Sequence, residues 1–227
     1  MKRIKQVCSR VYQVGGNGLS NPEDCCVYMV DGGSASAVID AGAGASAGRI
    51  LENIANAGFE LDAIKYIIVT HGHIDHIGGL PVWARQLKGQ IVAHELDLPA
   101  VAQGIPRLTA AGWYGVDYQG VNVDIVLREP MQPLQVGDLS LNFVHTPGHT
   151  PGSIAVYLDV EGQRFLFGQD IHGPFNPEWG SDLKQWRGSM QKLLELKADI
   201  LCEGHFGIYT PAARVESYIK SYLERMG

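Results

Sequence analysis

Nowhere in its 227 residues does this sequence hold an apolar run long enough to cross a bilayer, which takes about 20 consecutive residues. The opening stretch, "MKRIKQVCSRVYQV", carries charge but no apolar centre, so no secretory leader is expected and the protein reads as cytoplasmic. Cysteine is scarce: Cys8, Cys25, Cys26 and Cys202 form no CxxC pair, which argues against a zinc ribbon or a redox couple. They read instead as small buried residues in a reducing compartment. Basic residues are outnumbered by acidic ones, 18 to 24, and the net charge of −6 argues against a nucleic-acid partner. The glycine-rich turn "AGAGASAG" (41–48) has neither GxGxxG spacing nor a following Walker lysine, so it reads as a strand-to-helix turn and not a phosphate cradle.

What is present is an ordinary globular composition, 45% hydrophobic and 19% charged, which is enough to build a sizeable core. No stretch rich in Pro, Gly or Ser divides the chain, so residues 1–227 are read as one domain. Strands are expected at 11–14, 25–30, 37–40, 64–70 and 90–94, with helices at about 49–58, 79–89 and 95–103 between or after them. A second batch of strands follows at 123–127, 139–145, 153–160 and 163–168. Then comes an amphipathic helix over 182–197 that places Leu183, Trp186, Met190, Leu193 and Leu194 on one face. A strand at 199–205 and a helix opened by Pro211 end the chain. Two batches of strands, each with helices, predict an α/β (α+β) fold with helices packed outside two central sheets. Residues 103–120 show no clear period and are expected to be a loop.

The densest chemistry lies in "YIIVTHGHIDHIGG" (66–79), where His71, His73, Asp75 and His76 form HxHxDH. In an extended segment His71 and His73 project to one side, while Asp75 and His76 begin the next helix and aim at a second point. Imidazole and carboxylate are natural ligands for zinc and related divalent ions. Three further ligand types stand at expected strand ends: His149 in "HTPGHTPGS", Asp170 in "FLFGQD" and His205 in "ILCEGH". Seven candidates exceed what one tetrahedral ion needs. Two ions fit them, with His71, His73 and His149 on one, Asp75, His76 and His205 on the other, and Asp170 bridging.

The series HxHxDH, TPGHTPGS, a strand-end Asp and a late GH resembles the metallo-β-lactamase-fold hydrolases of the glyoxalase II-like type. The resemblance runs from "VIDAG" around Asp40 to "EGH" at His205. It implies an αββα four-layer sandwich of two mixed β-sheets, and a supporting place beside the metals for Asp40 and Gly42. The chemistry expected is hydrolysis of a small ester, thioester or lactone by a metal-bridging hydroxide, with Asp75 catalytic as well as metal-binding. The two divalent ions are expected to be zinc, with iron or manganese as alternatives. Ser153 and Cys202 read as a turn and a strand residue, so no side-chain nucleophile is expected.

Departures from the family pattern narrow the expectation. Asp170 as a bridging acid argues against an antibiotic substrate. His73 stands where the flavin-linked di-iron branch has Glu, and Gly173 where quorum-signal lactonases place Tyr. Only about twenty residues follow His205, which disfavours glutathione thioesters. A mononuclear iron persulfide dioxygenase is the alternative, with a metallo-ribonuclease weaker. The partner is expected to be a small-molecule substrate, with no nucleic acid and no membrane; homo-oligomerisation stays open. The substrate wall is placed in residues 103–120 and 171–180, with His172, Phe175, Trp113 and Tyr114 as its candidates. His172 reads equally as a loop residue, His145 as a support for the site, and His94 as a pocket-edge or core residue.

Overall fold

A computed structural model describes residues 4–226. One sheet runs in chain order through seven strands: β1 (Lys5–Gln6), β2 (Val11–Gln13), β3 (Tyr28–Asp31), β4 (Ser36–Ile39), β5 (Ile64–Ile68), β6 (Gln90–His94) and β7 (Ile125–Leu127). β1 to β4 pair antiparallel, whereas β4 to β7 pair parallel. Parallel neighbours need crossovers. The first is α1 (Ala47–Asn56). The second holds α2 (Ile74–Ile77) and α3 (Leu80–Gln86), and the third α4 (Leu98–Val101), α5 (Pro106–Thr109) and α6 (Ala111–Tyr114).

The second sheet holds β8 (Leu134–Val136), β9 (Leu139–His145), β10 (Ile154–Val160), β11 (Gln163–Gly168), β12 (Ile200–Glu203) and β13 (Ile208–Tyr209), in the spatial order β13-β12-β11-β10-β9-β8. Only β11 and β12 are parallel, bridged by α7 (Leu183–Glu195); α8 (Ala212–Arg225) closes the chain.

Side-chain alternation sorts the residues into layers. In β5, Tyr66 and Ile68 enter the core between the sheets, where Phe143, Val156, Phe165 and Phe167 meet them. Ile67, between them, faces outward under Ile50, Ile54, Leu80 and Trp83 of the helices. In β11, Leu166 likewise turns away from Phe165 and Phe167, to pack with Trp186, Met190, Val215 and Ile219. Three apolar layers between four structural ones make an αββα sandwich of two mixed sheets.

Five local expectations change. The strand expected at 123–127 at the head of the second batch instead pairs parallel with β6, as β7 of the first sheet. Residues 25–27 do not join the strand, because the Cys25 and Cys26 amides donate to the Asp75 and Gly204 carbonyls instead, at 3.2 and 2.6 Å. Residues 103–120 are not all loop: α5 and α6 are single turns separated by Ala110, whose φ of +55° interrupts the helix. The 95–103 helix is a 3-10 turn (Glu95–Asp97) running into the single-turn α4. Leu183 is 41% exposed, since it opens α7 one turn ahead of the packed stretch. That start is fixed by Asp182, which accepts the Lys184 and Gln185 amides at 2.8 and 3.0 Å.

Candidate metal centre

β9 and β11 each pair antiparallel with β10, and β12 runs parallel to β11, so β9, β11 and β12 point the same way. Their carboxyl ends deliver His149, Asp170 and His205 to one edge, where the segment after β5 brings His71, His73, Asp75 and His76. Glycine permits the crowding. A Cβ on Gly204 would lie 2.4 Å from both Asp170 Oδ1 and Gln169 Oε1, and one on Gly72 would lie 2.5 Å from the Ala100 Cβ.

The seven side chains fall into two groups, His71/His73/His149 and Asp75/His76/Asp170/His205, with ligand atoms in each within 4.8 Å of one another. Asp170 Oδ2 stands between them. It is 3.9 Å from His71 Nε2 and 3.6 Å from His149 Nε2 on one side, and 3.5 Å from His76 Nε2 and 3.2 Å from His205 Nε2 on the other. Asp75 Oδ2 lies 3.3 Å from His205 Nε2.

Burial sets the charge of the first group. It holds His71 and His73 well below the usual imidazole range and His149 down at about 4, so all three are neutral and ready to ligate. In the second group burial pulls the same way but is outweighed. Asp170, by charge and hydrogen bond, raises His205 to about 10, and Cys25, Asp170, Asp40 and Asp75 hold His76 well above its ordinary value. Asp170 is itself held well below the carboxylate range: burial pushes it up, and His205 and His76 pull it further down.

Six polar atoms here are buried without a hydrogen-bond partner: Nε2 of His71, His73, His76 and His149, Nδ1 of His149, and Oδ1 of Asp170. Each such atom costs roughly 1–3 kcal/mol if left unsatisfied. Imidazole nitrogens gathered this way around a carboxylate fit divalent cations, which would satisfy the four Nε2 atoms.

The surroundings fix ring orientation. Asp40 is fully buried and has φ +64°, a left-handed conformation that costs a non-glycine residue about 1 kcal/mol or more. It is held there by the Thr70 amide at 2.8 Å and hydroxyl at 2.8–3.0 Å. Its Oδ2 accepts the His76 Nδ1 hydrogen at 2.8 Å, leaving Nε2 to face Asp75 and Asp170.

Two further carboxylates, which no sequence motif marks, brace the site. Asp97 accepts from the Gly72 amide (2.9 Å), the Thr150 hydroxyl (2.7 Å) and the Gly152 amide (2.8 Å), and so ties the His71–His73 segment to the His149 turn. Glu203 accepts the His205 and Phe206 amides through Oε2, at 2.6 and 2.8 Å, and the His172 Nδ1 hydrogen through Oε1 at 2.9 Å.

A cavity of about 260 Å³ opens over the cluster, lined by His73, Asp75, His149, Asp170 and His205 below and by Ala110, Trp113, Tyr114, His172, Pro174 and Trp179 around it. Phe175 is not in this wall; its ring turns inward onto Trp186, 5.3 Å between centroids, because α7 offers an apolar surface there. Trp179 takes the place, its ring 4.6 Å from that of His73. His94 and His145 stack on each other at 4.1 Å, outside both ligand groups.

Residues 21–205 match the model of the metallo-beta-lactamase superfamily. The chain belongs to that superfamily. It is accordingly a metal-dependent hydrolase. Among relatives, hydroxyacylglutathione hydrolase GloC of Haemophilus influenzae is 27% identical, over 82% of this chain and 86% of that protein. Human acyl-coenzyme A thioesterase MBLAC2 is 25% identical over 88% of this chain and 79% of that one. The fold is shared with BJP-1, a subclass B3 metallo-beta-lactamase of Bradyrhizobium japonicum, with a TM-score of 0.82 at 23% identity over 98% of this chain and 91% of that one.

Proposed function

We propose that the protein hydrolyses a small thioester at a site of two divalent metal ions. The observation that carries the reading is the position of Asp170 Oδ2 within 3.2–3.9 Å of ligand nitrogens from both groups. His71, His73 and His149 would hold one ion, Asp75, His76 and His205 the other, and Asp170 both. Zinc suits five imidazoles and two carboxylates. When bound, the ions supply an acidified water and a Lewis acid for the acyl oxygen.

The chain's own residues do the rest. Asp75 lines the cavity and orients the water through its carboxylate. Tyr114 lines it too; burial and the Asp75 charge push its phenol up, so it stays protonated and offers a donor. Water's oxygen bonds to the acyl carbon and the C–S bond breaks; one of the water's two protons leaves on the thiol and the other passes to solvent as the carboxylate forms.

Two relatives bear the names of thioester hydrolases, and this supports thioesters over esters and lactones. GloC also removes the length argument against glutathione thioesters, since this chain covers 86% of it. The proposed partner is thus a small molecule, not a nucleic acid. Among the described residues no helix is long and apolar enough to cross a membrane; a cytoplasmic location is part of the proposal.

The test is thiol release from a panel of thioesters by metal-loaded protein, abolished by a chelator and restored by zinc. No release across the panel at full metal occupancy contradicts the reading. One iron per chain with oxygen consumption supports the dioxygenase alternative instead.

A further inference from the structure

We propose that Trp113 and Trp179 select the acyl group, and that this group is apolar, uncharged and of about the size of a phenyl ring. This rests on the thioester reading above. The cavity has two unlike halves: metal-ligand side chains form its floor, while Trp113, Tyr114, Trp179, Pro174 and Ala110, with the His172 imidazole at one edge, form a wall. No lysine or arginine lines it, so its wall offers no fixed cation to pair with a phosphate or a carboxylate tail. Any anionic part of the thiol therefore stays outside, and what enters beside the aromatic wall is the acyl group.

Trp113 is 66% exposed, the largest value among the exposed large hydrophobic residues described. An indole left in water gains by covering with apolar surface. Its ring meets Trp179 edge-on at 4.7 Å, and Trp179 meets His73 at 4.6 Å, so aromatic surface continues from the rim to a metal-ligand ring. The two tryptophans are tied together, because Arg107 of α5 donates to the Glu178 carbonyl in the turn that carries Trp179. The volume, about 260 Å³, exceeds the roughly 150 Å³ that encloses a benzene, so one ring and the reacting carbonyl fit within it.

The experiment compares acetyl and phenylacetyl thioesters of one small thiol on the metal-loaded protein, wild type, Trp113→Ala and Trp113→Phe. The wild type is expected to favour phenylacetyl in kcat/KM by tenfold or more, roughly. Trp113→Ala should erode that preference about fivefold to tenfold through KM, and Trp113→Phe should keep most of it. Equal losses on both substrates, or a wild type without preference, overturn the proposal. So does a change in solution mass on Trp113→Ala with the preference intact, which assigns the ring to a contact between copies. Binding of phenylacetamide to the same proteins separates this proposal from the reaction. If no thioester is cleaved but the amide binds wild type about fivefold tighter than Trp113→Ala, the wall stands and the reaction falls. Equal amide binding overturns the wall.

Discussion

His76 donates its Nδ1 hydrogen to Asp40 across 2.8 Å, with both side chains wholly enclosed. That bond decides which imidazole nitrogen faces the second ligand group, and Asp40 is kept in a left-handed backbone conformation to make it. Asp40→Asn, which tolerates that backbone, removes the charge while keeping the shape. The expected result is a loss of about 10–100-fold in affinity for the ion held by His76, with the three-histidine group little changed. Competition with a chromophoric chelator measures it.

Asp97 is the joint between two ligand-bearing loops. Asp97→Ala strands the Gly72 and Gly152 amides in a buried place and leaves the Thr150 hydroxyl only Ser153 Oγ as a partner. A destabilisation of about 3 kcal/mol is expected, with loss of metal from His71, His73 and His149 ahead of the other group. Denaturant unfolding and metal titration of the same variant check both parts.

The two groups differ in their response to pH. His205 in the metal-free protein is raised to about 10, burial opposing and Asp170 and Asp75 prevailing. A raised folded-state value means that its contribution to stability is complete below the ordinary value of 6.5 and is lost as pH climbs through about 10. The stability gap between metal-free wild type and His205→Gln should therefore shrink over that window, as followed by thermal unfolding. A gap that widens contradicts the assigned ion pairs.

The same protons must leave when metal binds. Filling the Asp75/His76/His205 group near pH 7 should release protons, whereas filling His71/His73/His149, neutral already, should release none. Calorimetry in buffers of different ionisation enthalpy separates the two events.

Much of this centre could be read from the chain because ligand type and strand end coincide. HxHxDH is local, and His149, Asp170 and His205 each follow a stretch patterned as a strand. The two sheets were legible for the same reason: Tyr66, Ile67 and Ile68 are continuous apolar sequence, as a doubly covered strand requires. Asp97 was not legible, since its partners are backbone amides 25 and 55 residues away and a lone carboxylate in "ELDLP" carries no pattern. Glu203 hid in the same way beside His205. Phe175 follows Asp170 closely in sequence, but which side its ring takes is decided by packing on Trp186. The turns of α5 and α6 depend on the φ of Ala110, which composition does not announce.

The central claim is one carboxylate shared by two ions. Elemental analysis of protein purified without added metal, beside Asp170→Asn and His205→Ala, tests it most directly. The account predicts about two divalent ions per wild-type chain, reduced occupancy of both in Asp170→Asn, and loss of chiefly one in His205→Ala. Two tightly bound ions surviving in Asp170→Asn would contradict it.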